Sequence, residues 1–180
     1  FDGYRILTIA EENGRVRLIS RNGHDWSDRF SEIADAVARL RIEPAILDGE
    51  VVVLRPNGTT DFQALQNSAR SGKRARLRYF VFDMLYHDGY DLRGATLLAR
   101  KHALAAAIGQ GDGTVRYTDH MEERGGAFYP RAFDHSLQRI LSKRGAPPAR
   151  AGRLRDRGPP QCLARAASAL FASPHPAPRR

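Results

Sequence analysis

The sequence predicts an α+β domain built from antiparallel sheets flanked by helices. Short, β-prone apolar runs arrive in the chain as hairpin partners, and segments with helical spacing of apolar residues interrupt them. That order favours antiparallel pairing with helices packed on the sheets. A length of 180 residues fits about one domain, and 42% hydrophobic residues is ordinary for a globular protein.

The first elements are a hairpin and a helix. Residues 4–10 (YRILTIA) and 15–21 (RVRLISR) predict two strands. Asn13-Gly14 between them is a strong hairpin signal, because both residues tolerate a positive φ angle. Residues 29–40 predict the helix, with apolar side chains at helical spacing: Phe30, Ile33, Ala34, Val37 and Leu40.

Two further strands enclose a second helix. Residues 45–54 (AILDGEVVVL) are strongly β-prone and end at the turn sequence RPNG. Residues 61–70 predict a helix for which Asp61 is a good N-cap. Residues 77–86 (LRYFVFDMLY) are almost unbroken in apolar character, which predicts a buried strand that leads into a turn at 87–94.

The last predicted elements are two helices and a strand. Residues 97–109 predict a helix that Gly109 closes. Residues 114–121 (TVRYTDHM) predict a strand, and the segment from Pro130 to Leu141 predicts a further helix. No periodicity continues beyond Lys143.

Charge divides the chain into two parts. Residues 124–180 contain 12 Lys and Arg against two acidic residues, a net charge of +10, whereas the preceding 123 residues have a net charge of −1. We expect residues 1–143 to form the domain core, without its N-terminal start, and residues 144–180 to be a poorly ordered basic tail rich in Ala, Pro and Arg. A basic excess suggests a polyanionic partner, although here it has the composition of a flexible tail.

Several classes of protein are excluded by what the sequence lacks. It has no long apolar run that predicts a membrane span and no secretory signal pattern. Its single cysteine, Cys162, excludes an internal disulfide framework and a multi-cysteine metal site, and fits a reducing cytosol. The six histidines show no metal-ligand spacing, and neither a Walker A loop nor a GxGxxG loop is present.

Two carboxylates in the third predicted strand are candidate metal ligands. Asp48 and Glu50 are two residues apart, so in a strand both side chains face the same side. Two carboxylates on one face can bind a divalent metal through oxygen. The alternative is a strand end where Asp48-Gly49 bends the chain and both acids are solvated.

Three other residues carry potential chemistry. Phe82 lies in an apolar strand and is either a core residue or a ring that stacks on a nucleobase. Asp83 beside it needs a hydrogen-bond partner or a cation if it is buried. Arg21 ends a strand before an Asn-Gly turn, where it can bind phosphate or form a surface ion pair.

In their order along the chain, these segments resemble one family. FDGYR at the start, SRNG, ILDGEVV and YFVFDMLYHDG together are similar to the adenylation domain of ATP-dependent DNA ligases, in particular the bacterial end-joining type called ligase D. The resemblance runs nearly without gaps from Phe1 to about Cys162. It implies an ATP-grasp-like nucleotidyltransferase core of antiparallel sheets flanked by helices, and we expect that core to be incomplete.

The resemblance implies a three-step reaction. A lysine attacks the α-phosphorus of ATP and expels pyrophosphate, the AMP passes to the 5′-phosphate of a DNA nick, and the 3′-hydroxyl displaces AMP to seal the strand. The lysine belongs to a Lys-x-Asp-Gly motif whose last three positions match Phe1, Asp2 and Gly3. We therefore expect the nucleophile immediately before Phe1 and no catalytic residue within the chain itself.

The resemblance also implies the binding residues and partners. Arg5 and Arg21 would contact nucleotide or phosphate, Glu50 would contact the ribose or help to hold a metal, Phe82 would stack on adenine, and Lys143 would belong to the nucleotide site together with Asp2 and Gly3. The cofactors would be ATP with Mg²⁺ or Mn²⁺. The partner would be nicked or broken double-stranded DNA, bound by a monomer in the bacterial cytoplasm at the nucleoid, in repair and recombination.

The sequence departs from the family pattern near its C-terminus. At the fourth motif, Glu-Gly-x-x-x-Lys, Gln138 and Arg139 replace the first two residues, whereas Lys143 is kept. Loss of that carboxylate removes a potential metal ligand. The fifth motif, Asp-Trp-x-Lys-x-Lys, is replaced by DRGPPQ at residues 156–161, without either lysine. The downstream oligonucleotide-binding fold of the family is not in the sequence.

These departures leave alternatives open. We expect this chain alone not to adenylylate itself. A non-catalytic nucleic-acid-binding remnant is one alternative, in which the basic tail binds phosphate non-specifically. A related RNA ligase or capping-type nucleotidyltransferase is another, although the SRNG and FDMLYHDG contexts favour the DNA ligases.

Overall fold

One six-stranded sheet dominates the computed structural model, which describes residues 2–71, 76–109 and 111–118. Its strand order is β2-β1-β3-β4-β5, and β6 also pairs with β4. Neighbours from β2 to β5 are antiparallel, whereas β6 is parallel to β4. The strands are β1 (Tyr4–Ala10), β2 (Val16–Ser20), β3 (Ala45–Val53), β4 (Leu77–His87), β5 (Tyr90–Asp91) and β6 (Val115–Tyr117).

The hairpin turns form where the sequence predicts them. Ala10 pairs with Val16 at the end of the β1–β2 hairpin, and Gly14 in the connecting turn has a φ angle of 80°. The turn after β4 places Asp88 and Gly89 at φ angles of 45° and 84°, which are the two positive values that a tight hairpin turn requires.

In the part of the chain that the structure describes, three α-helices connect the strands: α1 (Ser31–Ala38), α2 (Phe62–Ser71) and α3 (Leu97–Ile108). Asp61 caps α2 as predicted, because its Oδ1 accepts a hydrogen bond from the Ala64 amide at 2.9 Å. Thr96 caps α3 in the same way through the Ala99 amide at 3.3 Å. Gly109 ends α3 at a φ angle of 56°, which confirms its predicted role.

The two faces of the sheet carry separate apolar clusters. Successive strand residues alternate between them, as Ile6 and Leu7 show. The larger cluster joins the sheet to α1, α2 and α3, and its members include Ile33, Val37, Leu47, Val51, Leu65, Tyr79, Val81 and Leu104. The smaller cluster on the other face contains Leu7, Ile9, Ile19, Ile46 and Leu85.

The predicted fold class is confirmed with one difference. The sheet is mixed rather than wholly antiparallel, because α3 returns the chain so that β6 runs parallel to β4. The predicted helix after Pro130, the residue Lys143 and the tail at 144–180 lie outside the described residues. Among the described residues, every helix is too short or too polar to span a bilayer.

Candidate functional site

Strand register places Arg5 and Glu50 side by side. Arg5 of β1 is the direct partner of Glu50 on β3, so the two side chains share a sheet face. Phe80 of β4 is the partner of Glu50 on the other side and extends the same row across three strands. Two predicted site residues that are 45 positions apart in sequence are therefore neighbours.

Arg5 also holds Asp48 through two parallel hydrogen bonds. Its Nε donates to Asp48 Oδ1 at 3.0 Å, and its Nη2 donates to Oδ2 at 2.5 Å. The side chain of Asp48 is 8% exposed, whereas that of Arg5 is 51% exposed. Paired carboxylate and guanidinium planes form the stronger kind of ion pair, so Asp48 is not the solvated strand-end residue that one reading allowed.

Nearby carboxylates stabilise the positive charge of Arg5. Its hydrogen bond to Asp48 raises the pKa of the Arg5 guanidinium, and the charges of Asp48, Glu50 and Asp83 add to that effect against the opposing effect of partial burial. Arg5 thus stays positively charged beside Asp48, to which it is bonded directly. A cation held in this way can accept a further anionic partner on its exposed side.

Phe82 lies beside Arg5 at an irregularity in the sheet. Gly49 pairs with Val81, but Asp48 pairs with Asp83, so Phe82 is an extra residue of β4. Bulges of this kind redirect side chains and occur often beside functional sites. The Phe82 ring is half-buried, belongs to neither apolar cluster, and has the Arg5 guanidinium carbon 5.7 Å from its centroid. The core reading of Phe82 is therefore the weaker of its two interpretations.

Asp83 has the cationic partner that its burial requires. Arg100 of α3 donates from Nε to Asp83 Oδ1 at 2.8 Å and from Nη2 to Oδ2 at 3.1 Å. Its Nη1 donates to the Ala95 carbonyl at 2.7 Å, and the Met84 amide donates to Asp83 Oδ1 at 3.0 Å. Asp83 is 5% and Arg100 is 4% exposed. The pair ties α3 to β4 next to Phe82.

Gly49 is required by the face of the sheet opposite Arg5. A Cβ atom on Gly49 would lie 2.6 Å from the Phe80 carbonyl oxygen and 2.6 Å from Cε2 of Tyr79. The Tyr79 ring lies against this glycine, and its hydroxyl donates to the Ile6 carbonyl at 3.0 Å. The buried Tyr79 thus connects β4 to β1 across β3, directly beneath the Arg5–Asp48 pair. Burial raises the pKa of the Tyr79 hydroxyl, which keeps it a hydrogen-bond donor.

Gly3 is also fixed by close approach. A Cβ atom there would collide with the Val51 carbonyl oxygen and lie 2.7 Å from Cγ1 of Val52. Tyr4, next in the chain, packs edge-on against Trp26 at a centroid distance of 4.9 Å. The chain therefore enters β1 along a tightly packed path, and the exposed Asp2 precedes it.

The remaining predicted site residues are less closely integrated. Arg21 leaves β2 at the exposed turn after Ser20, which pairs with Ile6 beside Arg5. Among the described residues Arg21 forms no ion pair. Lys143 lies outside the described residues.

Within 2–71, 76–109 and 111–118 there is no group of three His, Cys, Asp or Glu residues that could hold a metal ion.

Sequence reasoning did not identify Arg100. A signal was present, because Arg100 and Lys101 occupy the same buried stripe of α3 as Leu97, Leu104 and Ile108. Charged residues are rarely buried without a partner. Because both Arg100 on the apolar face of a helix and Asp83 in an apolar strand need a partner of opposite charge, the sequence could have predicted that they pair.

Comparison with known proteins places this arrangement in a family. Residues 1–138 match the family described as "ATP dependent DNA ligase domain". The multifunctional non-homologous end joining protein LigD of Pseudomonas aeruginosa is 38% identical over 144 residues, which is 79% of this chain and 17% of that protein. The chain thus spans only a small part of that relative.

Solved structures agree with this assignment. The ligase domain of LigD from M. tuberculosis matches with a TM-score of 0.62 at 31% identity, over 76% of this chain and 44% of that chain. A mycobacterial DNA ligase D complexed with ATP and MES matches with a TM-score of 0.63 at 30% identity, over 76% of this chain and 43% of that chain. These matches confirm the predicted nucleotidyltransferase fold, and the match over residues 1–138 shows that the chain belongs to the ATP-dependent DNA ligase domain family.

Proposed function

We propose that this chain carries the nucleotide-binding part of an ATP-dependent DNA ligase that seals DNA breaks in end-joining repair and recombination. The observation that supports it best is the meeting of Arg5, Glu50 and Phe82 on neighbouring strands of one sheet. These are the residues to which the family resemblance assigns phosphate, ribose and base. A cation, an acceptor and a half-buried ring in one patch suit a nucleotide.

The proposed roles follow from the contacts of each residue. Phe82 stacks on adenine, since its ring lies outside both apolar clusters. Arg5 contacts a phosphate with the N–H groups that its two bonds to Asp48 leave available on its exposed side. Arg21 supplies a second cation from the exposed turn beside β1. Asp2 and Gly3 set the path of the backbone into β1. Lys143 would add a further contact to the phosphates.

Glu50 is the proposed contact for the ribose or for Mg²⁺ or Mn²⁺. Both oxygens of Asp48 accept from Arg5, so the two-carboxylate metal site considered from the sequence reduces to Glu50. A single carboxylate still fits, because Mg²⁺ is commonly held by one or two carboxylates together with substrate phosphates. The metal would neutralise phosphate charge during nucleotidyl transfer.

The nucleophile of the proposed reaction is a lysine immediately before Phe1. It would need to lose its proton before it could attack the α-phosphorus of ATP and release pyrophosphate. The close packing of Gly3 against Val51 fixes the backbone two residues after Phe1 and so supports a defined position for that lysine. Without it, the chain of 180 residues would bind ATP weakly and form no covalent adduct.

Intact mass spectrometry after incubation with ATP and Mg²⁺ tests the proposal. Three proteins are compared: this chain, the chain extended by a short segment ending in lysine, and the same extension ending in alanine. We expect a mass increase of one AMP on the lysine extension alone. Its absence from all three would contradict a surviving nucleotidyl-transfer site and favour the non-catalytic remnant.

The non-catalytic alternative has its own supporting observation, the net charge of +10 over residues 124–180. It predicts binding to nicked double-stranded DNA that weakens steeply with salt and does not depend on ATP. Fluorescence anisotropy over a salt series, with and without ATP, separates it from the ligase proposal.

Replacing ATP by GTP, or nicked DNA by nicked RNA, in the adduct and sealing assays tests the capping-type and RNA ligase alternatives. We further propose that the protein acts as a monomer in the bacterial cytoplasm, at the nucleoid.

A further inference from the structure

Two buried carboxylates are cross-strand partners next to residues of the proposed nucleotide site. Asp48 of β3 and Asp83 of β4 are direct cross-strand partners, and they are 6% and 5% exposed. Like charges directly opposite each other in a sheet are destabilising. Each aspartate therefore depends on its own arginine, and the two arginines come from opposite sides: Arg5 from β1 and Arg100 from α3.

The two ion pairs are linked through Arg5. Asp48, which Arg5 binds, is the direct cross-strand partner of Asp83. The charge of Asp83 also adds slightly to the raised pKa of Arg5, after the larger effects of Asp48 and Glu50. While Arg100 binds both oxygens of Asp83, the attraction between Asp83 and Arg5 is opposed by a nearby positive charge. If a neutral residue replaced Arg100, Asp83 would compete with Asp48 for Arg5. We would then expect Arg5 to leave its position 5.7 Å from the centroid of the Phe82 ring.

The backbone gives Arg100 a second effect on Phe82. The extra residue at Phe82 shifts the pairing of β4 between Val81 and Asp83. Asp83 anchors the chain just after that shift, through Arg100 and through its bond to the Met84 amide. Arg100 in turn is fixed by its bond to the Ala95 carbonyl at the start of α3. This set of bonds holds the irregular segment in one conformation.

We propose that Arg100 is a positioning residue for nucleotide binding, which keeps Phe82 and Arg5 in place through Asp83 without touching the nucleotide. The inference rests on the proposed function, since Phe82 and Arg5 are its binding residues. It assigns to α3 a role in the site beyond covering the sheet.

A matched control exists in Arg93. It is also buried, at 6% exposure, and binds one aspartate, Asp91, through Nε at 2.8 Å and Nη2 at 2.6 Å. Asp91 pairs with Tyr86, four residues beyond Phe82 and therefore about 13 Å along β4. Arg93→Met thus removes a buried arginine away from the site, although its partner Asp91 is more exposed than Asp83.

The first measurement needs no nucleotide. In the 180-residue chain with labelled Phe and Arg, NMR detects the NOE between the Arg5 side chain and the Phe82 ring. We expect Arg100→Met to abolish this NOE, Arg100→Lys to weaken it, and Arg93→Met to leave it unchanged. An NOE of wild-type intensity in Arg100→Met overturns the proposal. If Arg100→Met does not fold, the folded Arg100→Lys variant decides by the same comparison.

The second measurement is titration of the same proteins with ATP and Mg²⁺. We expect Arg100→Met to weaken binding about tenfold, the loss typical of one base–aromatic stack, with a smaller loss in Arg100→Lys. Arg93→Met should bind as the wild type does. Equal affinity in Arg100→Met and wild type overturns the inference. No binding by the wild-type chain would instead count against the proposed function, while the NOE comparison still decides the role of Arg100.

Discussion

Replacement of Gly49 by alanine tests whether the space between β3 and Tyr79 positions the site. The strand conformation at Gly49 is open to any residue, so the argument depends on space alone. The added Cβ would lie 2.6 Å from the Phe80 carbonyl oxygen, and 2.6 and 2.8 Å from Cε2 and Cζ of Tyr79. The first atom belongs to the backbone of a paired strand, and the ring is buried and anchored at the Ile6 carbonyl.

The cost follows from what must move. Neither the β4 carbonyl nor the Tyr79 ring can yield as a flexible side-chain end would, so β3 and β4 have to separate locally. Overpacking of this kind costs about 1 to 3 kcal/mol in the free energy of unfolding. Given a urea m-value of roughly 1 to 3 kcal/mol/M for a small protein, the unfolding midpoint should fall by about 1 M.

Urea unfolding followed by circular dichroism measures this effect, and Gly94→Ala is its control. A Cβ at Gly94 meets no heavy atom within 4 Å, so that variant should keep the wild-type midpoint. Because Asp48 and Glu50 flank Gly49, we also expect Gly49→Ala to weaken binding of ATP with Mg²⁺. A Gly49→Ala midpoint equal to that of Gly94→Ala would refute the steric reasoning.

Three further predictions concern α2, α3 and Phe82. Arg100→Met should lower the free energy of unfolding by about 3 to 5 kcal/mol in urea unfolding, because it leaves Asp83 buried without its cation. Removal of the exposed Arg39 side chain should lower the same free energy by at most about 1 kcal/mol. Phe82→Leu should weaken ATP binding about tenfold in a titration while the unfolding midpoint changes little, since the ring belongs to neither apolar cluster. Hydrogen bonds from the Ala64 amide and then from Arg55 lower the pKa of Asp61, so Asp61 stabilises α2 above about pH 4 and loses that effect as the pH falls further. Asp61→Asn keeps a capping oxygen but does not titrate. In urea unfolding measured from about pH 7 to pH 3, the midpoint of this variant should therefore fall less at low pH than that of the wild type.

Local chemistry predicted most of the fold. The hairpin at Gly14, the N-cap at Asp61 and the helix end at Gly109 each depend on a few adjacent residues, so their signals survive in the sequence. The strands β1, β2, β3, β4 and β6 were also predicted from their apolar runs, whereas β5 (Tyr90–Asp91) lies in a segment predicted as a turn. The parallel pairing of β6 was not, because the direction in which α3 returns the chain depends on packing between distant segments.

Site prediction depended on family resemblance rather than on spacing. Arg5 and Glu50 become neighbours only through the β1–β3 register, and nothing near either residue encodes that register. The shift that exposes Phe82 lies between two strands and has no local signature. Arg100 lay on a helix face that periodicity assigns to the core, so its partner could be found only by asking which cation neutralises Asp83.

The segment Asp48-Gly49-Glu50 explains why these features occur together. In a strand its residues alternate between faces, so the two carboxylates point to the Arg5 side while the glycine faces Tyr79. The absent side chain lets Tyr79 approach β3 and bind the Ile6 carbonyl, which fixes β1 against β4 across the strand between them. That fixed spacing is what allows Arg5 to reach Asp48 with two bonds while lying beside Phe82. A larger residue at 49 would therefore disturb the charged side of the sheet from its apolar side, and the glycine is as much a part of the proposed site as the two acids around it.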